Sequence, residues 1–317
     1  MAEIVAKLRY ISGEFFEVEN LVYMELTGDL DAACDGLRLR FYSKNELPEV
    51  KEVTLYINGE KAFFGYCDKQ EFTKNKHGGS IFIYARSSAA LLVDNEANPA
   101  TYNSPSTNVL FHAEAKAFGF KNKLPDLVSE HEYSVEKGTS CYGAVNQFVK
   151  TLTQTSIRVN CENELVLPDD SKTTDLDLTD ITEFKKCVNR AAPVTRIDYK
   201  ISAETPYNRH YKSRFCEGAK IMRTRKLNIS SLPAWQREYT LADIMQNAAK
   251  DYYTVTTVID GCHIFALNSR AKLSGVLSPD DNYRLYRTVT TYDESGEKTK
   301  LVFLKHNDLK EVSYVAE

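Results

Sequence analysis

The chain has 317 residues, of which 43% are hydrophobic and 26% charged, and its net charge is −4. These values are ordinary for a soluble folded protein of two or three domains, and the charge gives no overall attraction to nucleic acid or anionic membrane. No apolar run approaches the roughly 18 residues of a membrane helix, and the first 20 residues lack the pattern of a signal peptide. We therefore expect a protein that folds in the cytoplasm without membrane contact.

The first 86 residues are predicted to be β structure. Residues 37–42, LRLRFY, alternate between apolar and polar side chains, as a half-buried strand does. The strand pattern at residues 53–57 turns at Asn58-Gly59, a strong hairpin signal, and residues 75–79 predict a second turn. The 19 Tyr and 15 Phe, against one Trp, also favour strands and interfaces. Short strands joined by tight turns indicate a small barrel or sandwich.

The middle of the chain changes to helical spacing. Residues 106–120 predict a helix that ends at Gly119, and residues 140–154 predict a helix capped by Ser140. Residues 156–170 predict two short strands that turn at residues 162–163. Together these elements make a compact α/β unit of about 75 residues. The second helix has an apolar stripe made of Tyr142, Val145, Phe148, Val149 and Leu152.

The last part returns to β structure after a polar, acidic stretch, residues 167–180, which predicts a linker. Strand patterns are predicted at residues 194–202, 253–261, 262–267, 283–293 and 297–305. A capped helix is predicted at residues 240–252, with one apolar side made of Leu241, Ile244, Met245, Ala248 and Tyr252. We expect three domains: a first β domain at residues 1–95, an α/β domain at 96–178, and a second β domain with a helical insertion at 179–317.

The sequence carries no catalytic signature that we identify. It has no GxxxxGK[ST], GxGxxG, GxSxG or HExxH pattern. The seven Cys are dispersed without a CxxC, which indicates reduced thiols and no zinc site. His131, between two Glu, is better explained by a polar loop than by a metal or base role. Cys262 and His263 are neighbours on a predicted strand, so we expect a buried Cys and an exposed His rather than a catalytic pair.

Two groups of charged residues permit other interpretations. The PDD sequences at residues 168–170 and 279–281 supply paired carboxylates of the kind that glycosidases use, but Asp is common at Pro-led turns. Residues 208–226 hold seven Lys or Arg and one acid. This segment is either a surface for a polyanion or acidic partner, or a solvated loop and strand balanced by acids elsewhere, and we favour the second interpretation.

Residues 84–102, YARSSAALLVDNEANPATY, are either a catalytic loop or a joint between two parts of a scaffold. Residues 83–120 resemble the tail or baseplate hub proteins of bacteriophages and phage-derived contractile particles, of the late-control or PBSX type. The shared features are the Arg86-Ser87 pair, an apolar run that ends at Asp94, and Gly119-Phe120. The resemblance extends to residues 140–167 and 241–261, whereas residues 277–293 lack the Pro-Gly-Asp-like turn that the family usually has.

The resemblance implies an α+β, β-rich fold: two small β-barrel tube domains with an α/β domain between them. Three copies would form a ring in which six barrels imitate the sixfold tail tube and join it to a trimeric spike. The implied partners are two further copies in a homotrimer, tail tube or distal tail proteins, the central spike protein and a tape-measure protein. DNA would pass through the lumen without specific binding. The implied location is the tail of a virion, phage-like particle or contractile injection system assembled in the host bacterial cytoplasm.

The resemblance and the pattern change place the domain junction at four candidate residues, Arg86, Ser87, Leu92 and Asp94. We expect an Arg86–Asp94 contact, and we expect residues 89–93 to pack a helical turn onto the first barrel. Candidates for ring or lumen contact are Arg214, Lys220, Arg223 and Arg225. We expect no catalytic, cofactor or metal residues. The alternatives are a tail-associated cell-wall hydrolase and a binding module of an unrelated β-rich oligomer.

Overall fold

The computed structural model describes residues 2–76, 78–212, 220, 222–278 and 281–305. Strands predominate among these residues, and they form large antiparallel sheets with few helices. The β-rich α+β fold that the sequence predicts is therefore confirmed. No helix in the described part of the chain is both long and apolar enough to span a membrane.

The first seven strands form the first β unit. Their bounds are β1 (Ile4–Tyr10), β2 (Phe15–Glu17), β3 (Leu21–Asp29), β4 (Gly36–Tyr42), β5 (Val50–Ile57), β6 (Glu60–Asn75) and β7 (Gly78–Ser87). Both predicted hairpins are confirmed. Asn58 and Gly59, between β5 and β6, have φ angles of 52° and 78°, as the tightest hairpin turns require. Asn75 pairs with Gly78 across the second turn.

Alternation along these strands builds the core of the first β unit. Leu37, Leu39 and Phe41 are fully buried, whereas the intervening Arg38 and Arg40 are exposed. Strands β1, β5 and β7 contribute their buried faces to the same cluster. Because each fully buried Leu or Phe side chain stabilises by about 1.5–3 kcal/mol, this alternation fixes the register of the sheet.

The α/β unit follows. Its elements are α1 (Ala90–Asp94), β8 (Ala100–Tyr102), α2 (Thr107–Glu114), β9 (Lys121–Asn122), β10 (Tyr133–Val135), α3 (Cys141–Thr153), β11 (Arg158–Val159) and β12 (Glu164–Val166). Helix α2 ends earlier than predicted, and a 3₁₀ turn carries the chain on to Gly119, whose φ is 82°. Ser140 caps α3 as predicted, since its hydroxyl oxygen accepts a 3.0 Å hydrogen bond from the amide of Gly143.

The buried stripe of α3 differs from the prediction at its edges. Val145, Phe148 and Val149 are buried as expected, but Leu152 is 37% exposed and Tyr142 is only half-buried. Cys141 and Ala144 complete the buried face instead. Helices α2 and α3 pack against each other in this unit. The hydrophobic cluster of the unit also contains residues from α1, β10, β11 and β12.

The remainder of the chain adds nine strands and one α-helix among the described residues. They are β13 (Thr173–Asp177), β14 (Ile181–Val188), β15 (Arg196–Lys200), β16 (Arg209–Lys212), β17 (Thr224–Asn228), α4 (Ala234–Ala249), β18 (Tyr253–Asp260), β19 (Arg270–Ser274), β20 (Tyr283–Asp293) and β21 (Gly296–Lys305). Strands β13, β14 and β18–β21 form the second β unit. Strands β15–β17 and α4 form an inserted unit with a core of its own.

Two predictions for this part are wrong, and the helix predicted at residues 240–252 is present with different bounds. The supposed linker contains β13, which pairs in parallel with β19 and buries Leu176. Residues 262–267 are not a strand, although Cys262 is buried and His263 exposed as expected. Helix α4 begins at Ala234, directly after Pro233, so that Thr240 lies inside it rather than at its start. The helical insertion is therefore part of a larger unit that also has three strands.

Both β units belong to one sheet. Its main path runs β14-β18-β21-β20-β3-β4-β7-β6-β5-β1-β2, with β13 and β19 attached beside β20. The two units meet where β3 pairs antiparallel with β20, from Met24 opposite Tyr292 to Asp29 opposite Arg287. The described strands show no pairing that closes either unit into a barrel, so the two-barrel prediction is not confirmed.

Candidate functional site

The segment from the last residue of β3 to the first residue of β4, residues 29–36, is where the units of the chain meet. We call it the junction loop. Its sequence, DLDAACDG, places three aspartates within seven residues. In the structure each of these carboxylates pairs with a cation from a different unit. The loop therefore holds the second β unit, the inserted unit and the α/β unit against the first β unit.

Asp29 connects the junction loop to the second β unit. Its Oδ2 atom accepts a hydrogen bond from Nε of Arg287 on β20 at 2.6 Å, and Nη2 of the same guanidinium lies 2.5 Å from that oxygen. The amide of Leu30 donates to the carbonyl oxygen of Tyr286 at 2.9 Å, which continues the β3–β20 pairing into the loop. Because both groups of the Asp29–Arg287 pair are charged, their hydrogen bond is stronger than one between neutral groups.

Asp31 connects the loop to the end of α4. The ammonium group of Lys250, the residue after α4, and the hydroxyl group of Tyr286 both donate to Asp31 Oδ2, and the Lys250 Nζ and Tyr286 Oη atoms lie 3.0 Å apart. Burial by itself would raise the pKa of Asp31, but the hydrogen bonds from Lys250 and Tyr286 outweigh it, so the pKa of this carboxyl is lowered. Burial raises the pKa of Tyr286.

Asp35 connects the loop to the α/β unit through Arg158. One guanidinium nitrogen of Arg158 donates to the Asp35 carboxylate, and another donates to the carbonyl oxygens of Asp29 and Ala32, the latter at 2.9 Å. The Arg158 side chain is only 9% exposed. A buried guanidinium needs such a set of acceptors, because the loss of hydration must be balanced by hydrogen bonds.

Ser87, a predicted junction residue, contacts the same loop. Its hydroxyl oxygen accepts a hydrogen bond from the amide of Asp35 at 3.0 Å, and its own amide donates to the Asp35 carbonyl at 2.9 Å. Ser87 is buried. The last residue of β7 is thereby fixed to the junction loop just before the chain enters the α/β unit.

Arg86 holds the chain at the exit from β7. The predicted contact with Asp94 is present: Nη1 and Nη2 donate to the two carboxylate oxygens at 3.0 and 2.6 Å. The same guanidinium also donates to both oxygens of Asp68 on β6. The hydrogen bonds from Arg86 lower the pKa of Asp94. Arg86 thus ties the end of α1 to the sheet of the first β unit.

The packing partner of α1 differs from the prediction. Ala89 and Leu92 are fully buried, and both belong to the hydrophobic cluster of the α/β unit, not to that of the first β unit. Helix α1 contacts α3. The cluster to which Ala89 and Leu92 belong is therefore that of the following unit, and the polar Arg86–Asp94 pair connects α1 back to the sheet.

The described candidates for ring or lumen contact do not lie at the junction loop. Arg214 lies outside the described residues. Lys220 and Arg223 are exposed, and the Arg223 guanidinium donates to the carbonyl oxygen of Ala191. Arg225 is exposed at the middle of β17 and pairs with Ile197 of β15. Lys220, Arg223 and Arg225 lie between the end of β16 and the end of β17, in the inserted unit.

A polar cleft of about 580 Å³ lies beside the junction loop, between the end of α3 and α4. Across it, Lys150 of α3 pairs with Asp243 of α4 at 2.7 Å.

His131 stacks on Trp235 at the start of α4, with ring centroids 4.9 Å apart. In the part of the chain that the structure describes, no group of three or more His, Cys, Asp or Glu residues could hold a metal. The site joins units through ion pairs, stacking and strand pairing.

The sequence contains only a weak signal for the junction loop. Three aspartates between two strands are also what an ordinary solvated turn has. The cations that pair with them lie 123 to 258 residues away in the chain, so no local pattern connects them. The sequence alone therefore predicts none of the three pairs.

No family model and no curated protein matches this sequence. The fold is nevertheless a known one, which occurs in solved tail proteins of prophages. The chain is similar to the 43 kDa tail protein of prophage MuSo2 from Shewanella oneidensis, with a TM-score of 0.78 and 16% identity over 96% of this chain and 98% of that one. It is also similar to the tail protein from Neisseria meningitidis MC58, with a TM-score of 0.75 and 13% identity over 98% and 99%.

A more distant likeness is to the Escherichia coli protein c3393, with a TM-score of 0.58 and 8% identity over 94% of this chain and 76% of that one. That protein is a component of the type VI secretion system and shows structural similarity to the T4 phage tail proteins gp27 and gp5. At such low identities these comparisons establish a shared fold. The resemblance to phage tail hub proteins that the sequence suggests is confirmed at that level.

Proposed function

We propose that this chain is a structural hub of a phage or phage-like tail, which joins the sixfold tail tube to the threefold central spike. One observation carries the proposal: two β units of a single chain lie side by side in one sheet through the β3–β20 pairing. A subunit with two such units offers two positions on a ring. Three subunits therefore offer six positions while keeping threefold symmetry. The fold shared with solved tail proteins supports the same assignment.

In this proposal residues 1–95 and 179–317 are the two tube domains, and the inserted unit extends the second. Residues 96–178 are the α/β domain between them, except that β13 (Thr173–Asp177) pairs with β19 and so goes with the second tube domain. Closed ring symmetry makes each subunit contact heterologous, so that one edge of a subunit meets a different edge of the next. The junction loop would keep the two β units at a fixed mutual orientation, because the Asp29–Arg287 ion pair and the β3–β20 pairing join them directly. Arg86, Ser87, Leu92 and Asp94 would fix the chain where it enters the α/β domain.

The partners that follow are two further copies of this chain, a tail tube or distal tail protein on the sixfold side, and a spike protein on the threefold side. A tape-measure protein and DNA would pass through the ring. The location would be the tail of a virion or phage-like particle, such as a contractile injection system, assembled in the host bacterial cytoplasm.

Electron microscopy of the purified chain, alone and co-expressed with the candidate spike and tube proteins of the same gene cluster, tests this proposal. We expect a ring of three subunits with six similar β units around its axis. Light scattering should give three times the 36.0 kDa mass of the chain. A chain that stays monomeric with both candidate partners present would contradict the proposal.

A zymogram on peptidoglycan separates the structural role from the alternative of a tail-associated cell-wall hydrolase. We expect no clearing by the purified chain at any concentration at which a known lysozyme clears. Clearing that persists after a second, unrelated purification would contradict a purely structural role.

A further inference from the structure

The inserted unit concentrates positive charge that the rest of the chain lacks. Residues 189–230 contain ten Lys and Arg but three Asp and Glu, a net charge of +7 in a chain whose net charge is −4. The remainder of the chain therefore carries −11. Such an uneven distribution is typical of a segment that meets an anionic partner, and the arrangement of these charges in the fold decides between this interpretation and a solvated surface.

Strand pairing sorts these charges onto the two faces of the sheet β16-β15-β17. Ile197 of β15 and its partner Tyr211 of β16 are buried against Leu241 of α4. Because neighbouring residues on a strand face opposite sides, the other face points away from α4. We call it the outer face. Its members, from the strand register, are Arg196, Asp198, Lys200, His210, Lys212, Thr224, Lys226 and Asn228.

One acid and four permanent cations lie on the outer face. Asp198 is held by its neighbours: Arg196 Nε donates to its Oδ1 atom at 2.5 Å, and His210 Nδ1 lies 2.7 Å from the same atom. Lys200, Lys212 and Lys226 have no acidic partner among the described residues. The outer face is therefore a positively charged surface with a single internally paired carboxylate.

The side chains of the outer face fit nucleic acid better than protein. Protein–protein interfaces depend on apolar and aromatic anchors at their centre, and the outer face has no aliphatic member among the described strand residues. The exposed Met222 precedes β17 and lies beyond the paired register. Protein–DNA interfaces, in contrast, are polar and strongly positive. Thr224, Asn228 and His210 add hydrogen-bonding groups of the kind that contact phosphate oxygens.

The ring of Tyr207, which lies next to the outer face, is in contact with two lysine side chains. Lys200 Nζ lies 5.3 Å and Lys226 Nζ 5.7 Å from the ring centroid of Tyr207. Single-stranded DNA binding depends on open aromatic rings on which bases stack, and a ring beneath two ammonium groups does not offer one. We propose that the outer face binds the phosphate backbone of double-stranded DNA without reading its sequence.

The geometry of the sheet suits this role. Side chains on one face recur about every 6.7 Å along a strand, and neighbouring strands lie about 4.8 Å apart. Duplex DNA presents about one charge per 1.7 Å of its axis, so long and flexible lysine side chains can reach phosphates without an exact match. The DNA-binding proposal is based on the inserted unit alone. A test of DNA binding is therefore independent of the proposed role in a tail.

Fluorescence anisotropy with a labelled 30-base-pair duplex tests the proposal on the full-length chain. We expect the native protein to bind two duplexes of unrelated sequence equally at 50 mM NaCl, with affinity that falls steeply as salt rises. The double variant Lys212→Gln/Lys226→Gln should bind about tenfold more weakly. It should also reduce the slope of log affinity against log salt by about two, one for each lost phosphate contact.

The matched control is Lys44→Gln/Lys76→Gln, which removes two exposed lysines from the first β unit. This control should bind like the native protein. Equal loss of binding in both double variants, or no duplex binding by the native protein at 50 mM NaCl, would overturn the proposal. A 30-nucleotide single strand that binds more tightly than the duplex would also overturn it. A competition experiment gives a further test. If polyglutamate displaced the labelled duplex at a lower concentration of negative charge than unlabelled duplex does, the result would indicate an acidic protein partner and would overturn the proposal.

Discussion

Arg158 and Asp35, which are 123 residues apart in the chain, form an ion pair whose arginine side chain is only 9% exposed. The same guanidinium also donates to the carbonyl oxygens of Asp29 and Ala32. One side chain of the α/β unit therefore satisfies three acceptors of the junction loop. Its removal leaves a partly buried carboxylate and two carbonyls without these donors.

We expect Arg158→Ala to lower the free energy of unfolding by about 3 kcal/mol, the usual cost when one partner of a buried charge pair is removed. Urea denaturation followed by circular dichroism measures the change. Arg40→Ala on β4 is the control, because Arg40 is exposed and surface substitutions usually change stability by less than about 0.5 kcal/mol. Similar midpoints for both variants would show that the Arg158 contacts contribute nothing to stability.

The Arg86–Asp94 pair should act locally. Asp94 is 53% exposed, so Asp94→Ala should cost only about 0.5 kcal/mol of global stability. Hydrogen exchange of the Val93 amide, which donates to the Ala89 carbonyl at 3.1 Å, should nevertheless become faster, because α1 loses its connection to the sheet. Arg86→Ala should cost more, since it also leaves Asp68 without this partner. Unchanged exchange at Val93 in both variants would exclude a pinning role for the pair.

Acid should weaken the contact at Asp31. The fold lowers the pKa of this carboxyl below the unfolded value of about 3.9, so the folded state favours the ionised form. The stabilisation is complete well above pH 4 and is lost as the pH falls through 3.9 toward the folded value. In urea titrations from pH 6 to pH 3, Asp31→Asn should be less stable than the native protein at pH 6 and should lose less stability on acidification.

The control for Asp31 is Asp251→Asn, which changes an exposed carboxylate close to the end of α4. Its stability should follow the native profile with pH. If Asp31→Asn also followed that profile, the ion pair with Lys250 would not contribute to the acid sensitivity of the fold.

Glu114 should show the opposite dependence on pH. Burial raises the pKa of this carboxyl and outweighs the hydrogen bonds from Cys141 and Tyr102, which lower it. The folded state therefore favours the neutral acid, and this stabilisation is present below the unfolded pKa of about 4.3 and is lost as the pH rises through the folded value. Glu114→Gln should be more stable than the native protein at pH 8 and no more stable at pH 4.

Thermal unfolding at both pH values measures the effect at Glu114, with the exposed Glu136→Gln as control. A stabilisation of equal size at both pH values would indicate that the gain does not come from the ionisation of Glu114.

Trp235 provides a reporter of the contact between the α/β and inserted units. It is the one Trp of the chain, and it stacks on His131 with an angle of 15° between the rings. His131→Ala should uncover the indole ring and shift its fluorescence emission to longer wavelength. His112→Ala, at an exposed position on α2, should leave the emission unchanged. An unshifted spectrum for His131→Ala would mean that the stacking does not shield Trp235 in solution.

Elements with a local signal could be predicted from the sequence. The Asn58-Gly59 turn demands positive φ angles, and the alternation at residues 37–42 separates a buried from an exposed face. The Ser140 cap depends on one side chain and one nearby amide. Each of these features is decided within a few residues, so neighbouring sequence suffices.

Structural features that depend on residues far apart in the chain could not be predicted from the sequence. Residues 262–267 look like a strand because Cys262 and Phe265 are apolar, but tertiary contacts bury Cys262 in the first β unit without a ladder. Strand β13 is polar on its outer face and exists because β19 pairs with it. The β3–β20 pairing and the ion pairs of the junction loop join residues more than a hundred positions apart, and only the folded chain brings them together.

Three ion pairs converge on the junction loop, and they restrict which changes in its sequence evolution can accept. Asp29, Asp31 and Asp35 each face a different unit, and their spacing along the loop sets all three distances at once. A conservative substitution at one aspartate affects one contact, whereas the insertion or deletion of a single residue would displace two or three together. Homologous chains should therefore vary more freely in the composition of this loop than in its length, which is the reverse of what surface loops usually tolerate.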